Sequence, residues 1–225
     1  MSRIRNGFAF GVLAAACALS GCISSDSDFD FSSAFAGAKS VFGGAPVSKI
    51  TLQQAAAVPN ASIAAHIGNG PEEMLVLAET SSGDQVWHGA GNVVVVLHNG
   101  HLVQTGGLAD DLPNLHSESG DAVLPREAGQ MAKTRWVGDF PNKNLFGVVI
   151  DCTAQAVRPE AVTSLGKQIR TMRVDETCSS PALNWTFANV YWVSPVTGVV
   201  WQSIQHFSPD YDAMTIEVLR PVMGG

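Results

Sequence analysis

Charge is scarce in this chain, and positive charge is scarcest. Of 225 residues only 15% are Asp, Glu, Lys or Arg, with 13 Lys and Arg against 20 Asp and Glu. No basic run stands out, so there is no electrostatic footprint for nucleic acid. Cysteine occurs four times and tyrosine twice. No CxxC pair or Cys/His spacing suggests a zinc or redox centre. Neither G-x-S-x-G, a P-loop, nor G-x-G-x-x-G following a strand is present. No catalytic residue, cofactor or metal is therefore assigned. Apolar runs are short: Gly7 to Leu19 spans about a dozen residues, well under the ~20 a membrane-crossing helix needs. At 46% hydrophobic residues the chain is nevertheless too apolar to be disordered.

What is present begins with an address. Arg3 and Arg5 precede the apolar stretch, which ends in Leu19-Ser20-Gly21-Cys22. A positive n-region followed by a short apolar core reads as a secretory signal over 1–21. The ending resembles the lipobox of bacterial lipoproteins, which implies diacylglycerol on the Cys22 thiol, cleavage before Cys22 and acylation of the new amine. Several acyl chains make anchoring effectively permanent, whereas one binds only marginally. The lipoprotein resemblance also implies a sorting rule, in which Asp after the lipidated Cys favours the inner membrane in enteric-type bacteria, so Ile23 points to the outer membrane. Cleavage removes Arg3 and Arg5, taking the net charge from −7 to −9. Cys152 and Cys178 are then left in an oxidising compartment, where a disulfide between them is the default.

From 22 to 45 the composition is that of a tether: Ser, Asp and Gly with little pattern, interrupted by Phe29, Phe31, Phe35 and Phe42. Thr51 to Val58 reads as a short helix, with Thr51 and Gln54 at capping-box spacing and Pro59 ending it. Beyond Pro59 the pattern is almost entirely β. Strands are expected at 62–67, 73–79, 85–88, 93–98 and 101–105. A loop is expected over 106–133. Further strands follow at 134–140, 145–152, 155–162, 168–175, 185–193, 199–207 and 214–219. Asn99-Gly100 between apolar runs is a strong signal for a two-residue hairpin, because a type I′ turn needs positive φ at both positions. The expected fold is mostly β, an antiparallel sandwich or barrel-like domain over 46–225 with one short helix. Two lobes split within 106–133 are the alternative.

Two segments carry a resemblance. PNASIAAHIGNGPEEMLVLAE, Trp87 and HNGHLVQTGGLADDL lie within 59–112, and NWTFANVYWVSPVTGVVWQSIQHFSPDYDAMTIEVLRP closes the chain. With the lipobox, they resemble the YjbF/GfcB lipoprotein family. The resemblance implies an outer-membrane lipoprotein whose domain faces the periplasm and serves capsule or exopolysaccharide secretion without catalysis. It implies as partners a large outer-membrane β-barrel export protein and a periplasmic polysaccharide-secretion protein, with polysaccharide itself a further candidate. A polysaccharide-modifying hydrolase and a structural envelope lipoprotein are the alternatives.

Candidate chemical groups are few. His98 and His101 flank the Asn99-Gly100 turn directly opposite one another, a spacing two metal ligands can use. Without a defined third ligand they read as exposed hairpin-tip histidines. Asp110, Asp111, Glu118 and Asp121 read as a solvated acidic loop, since neither calcium-loop spacing nor a placed carboxylate pair is evident. Trp185, Tyr191, Trp192 and Trp201 cluster in sequence, and aromatic faces on a β surface suit sugar or partner contact, although core packing is their commoner fate. Lys133, Arg135, Arg158, Lys167, Arg170 and Arg173 make a basic face conceivable.

Overall fold

Alternating apolar positions separated by tight turns build an antiparallel sheet, and a computed structural model shows how it curls. It describes residues 49–222. The signal peptide (1–21), Cys22 and the tether (22–45) lie outside the described residues. One helix, α1 (Leu52–Ala57), precedes twelve strands: β1 (Ser62–Ile67), β2 (Glu73–Ser81), β3 (Asp84–His88), β4 (Val94–His98), β5 (His101–Gly106), β6 (His116–Ser117), β7 (Met131–Phe140), β8 (Leu145–Ser164), β9 (Lys167–Ser180), β10 (Trp185–Val193), β11 (Val200–Gln205) and β12 (Met214–Arg220). All lie in one sheet ordered 5-4-3-2-1-12-11-10-9-8-7-6. Its two edges almost meet. Leu115 N donates to Val103 O at 2.9 Å, and Thr105 N donates to Leu112 O at 3.1 Å. The mostly β, barrel-like reading is correct, and near-closure leaves little unpaired edge.

Local chemistry explains the elements. Thr51 and Gln54 cap α1 reciprocally: the Thr51 side chain accepts from Gln54 N, and Gln54 Oε1 accepts from Thr51 N at 2.9 Å. Asn99 and Gly100 adopt φ of 49° and 87°, closing the expected hairpin with His98 opposite His101. Gly100 is needed twice over, because a Cβ there would collide with Val200 Cγ2. Two other hairpins share a device. Pro141–Lys143 and Pro181–Leu183 each form a single 3₁₀ turn, and Asn144 and Asn184 follow in the left-handed region at φ 53° and 47°. Proline presets the first turn residue, and asparagine tolerates the last.

Three expectations need correction. Residues 145–164 form one strand of 20 residues where two were expected. The inward series Val148, Ile150, Cys152, Ala154, Ala156 is unbroken, and no turn residue interrupts it. A bulge follows, since Ala156 pairs with Val174 but Arg158 with Arg173. β9 runs on to Ser180 for the same reason. The expected loop over 106–133 contains β6, which pairs His116 and Ser117 with Val137 and Trp136.

Candidate functional site

Antiparallel order places the β2–β3, β4–β5 and β10–β11 turns at one end of the barrel, together with the start of β1 and the end of β12. There they surround a cleft of about 630 Å³. That volume falls in the range of small-molecule sites. Buried Ile63, Trp87, Leu97 and Ile216 supply apolar walls. Asp84, Asn99, Arg126 and Thr197 supply polar ones. Asp84 is held by His98, whose Nδ1 lies 2.7 Å from Oδ1. Asn99 Nδ2 lies 3.3 Å from His98 Nε2, so Nε2 accepts and Nδ1–H donates to Asp84. Arg126 takes part in no ion pair among the described residues.

Behind the cleft a cluster of buried, hydrogen-bonded polar side chains runs through the otherwise apolar barrel interior. Gln205, 2% exposed, accepts from Leu102 N at 2.7 Å and donates to Gly100 O at 3.0 Å. It thereby ties β11 to the β4–β5 hairpin that lines the cleft. Its Nε2 also donates to Ser203 Oγ at 2.9 Å. Tyr191 Oη, 3.2 Å from Gln205 Oε1, donates to Glu176 Oε2 at 2.8 Å. Asn189 Nδ2 donates to the same carboxylate oxygen at 2.9 Å. His101 Nε2 stands 3.7 Å from Glu176 Oε1. The imidazole lies between Trp136 and Tyr191, with ring centroids 5.3 and 5.4 Å away. At the far side of Glu176 is a disulfide joining Cys152 and Cys178, directly opposite each other on β8 and β9.

Burial holds His101 below the ordinary histidine range, the nearby Glu176 carboxylate only partly offsetting it. Burial also lowers His206. Both are therefore neutral in the fold at pH values where the unfolded chain takes up protons. Their contribution is fully present above about pH 6.5 and is lost as pH falls from there toward the folded pKa values. Urea unfolding between pH 7.5 and 5 is expected to show stability falling toward acid. His101→Gln should flatten that slope whatever it does to stability at pH 7.5. An unchanged slope would remove His101 from this account.

The other expected residues are dispersed. His101 is 4% exposed and faces Glu176, which corrects its reading as an exposed tip, while His98 turns to Asp84 and Asn99. The two histidines share no ligand. Among the described residues Cys152, Glu176 and Cys178 form the sole cluster of three ligating side chains, and two of them are disulfide-bonded. Asp111 accepts from Thr105 Oγ1, Gly107 N and Leu108 N, and Asp110 accepts from Ser208 Oγ, so both serve as loop braces where a freely solvated loop was expected.

The aromatic contact residues divide. Trp185, Tyr191 and Trp192 are buried, so their observed roles are in packing; Trp201 stays half-exposed on β11. Trp185 stacks on Phe187 with centroids 3.9 Å apart. Trp192, on the opposite face of β10 from Tyr191, donates to Glu160 Oε1 at 3.1 Å beneath the Arg173 guanidinium. Of the basic residues, Arg135, Arg158 and Arg173 pair with Asp151, Glu160 and Asp175, which breaks up a basic face. Glu176 and Arg126 were not singled out from sequence. Glu176 keeps phase with Val174 and Cys178, and that inward-facing acid was the available signal.

The chain resembles known lipoproteins in sequence and in fold. It is 23% identical over 174 residues to the uncharacterised lipoprotein GfcB of Escherichia coli K12, covering 75% of this chain and 80% of that protein. The crystal structure of the hypothetical lipoprotein YmcC from Escherichia coli K12 superimposes with a TM-score of 0.63 at 21% identity, over 76% of this chain and 89% of that one. The family model described as group 4 capsule polysaccharide lipoprotein gfcB, YjbF matches residues 35–219. The match runs through β1 to β11 and nearly all of β12, and the chain belongs to this family of capsule polysaccharide lipoproteins.

Proposed function

We propose that the protein is a lipid-anchored accessory of capsule or exopolysaccharide export, held in the outer membrane through Cys22 with its barrel in the periplasm, and without catalysis of its own. The family match over 35–219 carries the reading. The Leu19-Ser20-Gly21-Cys22 box supports the anchor. The commitment of Asp110, Asp111 and Glu176 to hydrogen bonds within the fold supports a binding role over a hydrolytic one. Its partners on this reading are a large outer-membrane β-barrel export protein and a periplasmic secretion protein, with the exported polysaccharide within reach.

The test is genetic and biochemical together. Deletion is expected to abolish or strongly reduce surface polysaccharide, and Cys22→Ala to release the protein from the membrane fraction and fail to restore it. A mild-detergent pull-down of the full chain should recover an outer-membrane β-barrel protein. Normal surface polysaccharide in the deletion strain would sink the reading.

A further inference from the structure

We infer that the cleft at the barrel mouth binds a short stretch of saccharide bearing a carboxylate. The inference rests on the polysaccharide reading above and adds a site and a ligand class to it.

Three observations converge on this cleft. Trp87 forms part of its wall, is 2% exposed, and its Nε1–H has no acceptor among the described residues. A buried donor without a partner carries a cost that an incoming oxygen relieves. Indole nitrogen only donates, so the ligand atom it suits is an acceptor. Secondly, the polar groups around the opening are mainly hydroxyls and carboxamides, among them Ser81, Ser82, Asn99 and Thr197. Such groups both donate and accept, as sugar hydroxyls do, whereas an acyl chain would leave them desolvated and unpaired. Thirdly, the two charged residues lining the cleft are Asp84 and Arg126. Asp84 is engaged by His98 at 2.7 Å, but Arg126 is in no ion pair among the described residues. Its guanidinium is a planar fork of donors, which matches a carboxylate in two parallel hydrogen bonds.

The assignment also places a local cation where the net charge of −7 would otherwise disfavour an anionic polymer. Charged contact at an exposed arginine is salt-sensitive, whereas the Trp87 contact within the wall is not. The two contributions are therefore separable in one titration series.

The test uses the full chain in detergent micelles. Binding is followed by calorimetry and tryptophan fluorescence. The probes are tetrasaccharides of hyaluronan, polygalacturonate and polysialic acid, with N-acetylchitotetraose as the neutral comparison. The acidic probes should bind at least about tenfold more tightly than the neutral one at low salt, the difference shrinking as salt rises. Arg126→Gln should erase the preference for acid while leaving the fold intact, since the side chain is exposed. Trp87→Phe should weaken acidic and neutral probes alike by about tenfold. Failure of every acidic probe to bind at millimolar concentration overturns the inference. So does binding by Arg126→Gln that matches the parent protein, a result that stands even if Trp87→Phe fails to fold. Complementation separates the two readings. If deletion abolishes surface polysaccharide but Arg126→Gln restores it fully and binds like the parent, the cleft is wrong and the export role survives. If the acidic probes bind as expected but deletion changes nothing, the export role is wrong and the cleft survives.

Discussion

Replacing both Cys152 and Cys178 by alanine is expected to lower stability by about 3.5 kcal/mol, the loop-closure value for a crosslink spanning 26 residues. For a chain of this size that corresponds to a fall in Tm of about 7–14 °C. The disulfide joins the longest pair of strands in the barrel at directly opposite positions on the inner face, where both cysteines are nearly fully buried. Its loss acts mainly on the unfolded chain, and the β8–β9 ladder should persist. A second cost arises locally, because the sulfurs lie within 4.8 Å of the Glu176 carboxylate and two alanines leave space beside it. Thermal melts of the double variant beside the parent, with and without reductant, check the size. Reductant should bring the parent toward the variant and leave the variant unmoved. A loss below about 1 kcal/mol would mean that the unfolded chain already keeps these strands paired, so that the crosslink restricts little.

Such a pair was visible in the sequence because chemistry marks it: two cysteines remain once a lipobox and an oxidising compartment are granted. The Asn99-Gly100 turn was visible for a similar reason, since positive φ at both positions restricts the choice of residue. Strand positions followed from alternation, and β1 and β10 fall on their expected bounds. Other features were not legible, each for a physical cause. Period-2 counting separates Tyr191 from Trp192, but it does not say that the outer face of β10 is also covered. That cover is Glu160, from the later part of β8, and Arg173, from the middle of β9. His101 read as exposed because a hairpin tip usually is. Here the tip is bound to the barrel interior by Gln205, 105 residues from Gly100 in sequence. The cleft was least legible of all, since three turns distant in sequence build it and Arg126 sits in a stretch with no periodicity.

Removing the Glu176 carboxylate should have an effect as large as removing the disulfide. The group is 2% exposed, and Tyr191 and Asn189 both donate to its Oε2. Burial, together with the adjacent carboxylate, holds the Tyr191 phenol well above its ordinary value, so it remains a donor throughout the physiological range. Glu176→Ala would open a space beside that hydroxyl and the Asn189 amide and leave them only their longer contacts, Tyr191 Oη to Gln205 Oε1 at 3.2 Å and Asn189 Nδ2 to Tyr191 Oη at 3.3 Å. The expected cost is about 2–5 kcal/mol, from about 1–3 for each neutral donor deprived of this acceptor, with a cavity beside them. Glu176→Gln keeps an acceptor oxygen within reach of Tyr191 and Asn189 and should cost about 1–2 kcal/mol. Tyr191→Phe removes one charge-assisted donor, and about 1–3 kcal/mol is expected. Because Tyr191 and Glu176 act on one another, the Glu176→Ala/Tyr191→Phe double variant should lose less than the sum of the single losses. Urea titrations with an unchanged m-value read these differences as stability alone. Additive losses, or a Glu176→Ala variant as stable as Glu176→Gln, would show that the carboxylate is not the centre of the network. A centre is what the geometry requires: the column from Gln205 through Tyr191 to Glu176 connects the cleft wall at Gly100 to the crosslinked strands behind it. A barrel mouth braced in this way keeps its turns in one arrangement before any ligand arrives, which lowers the ordering cost of binding there.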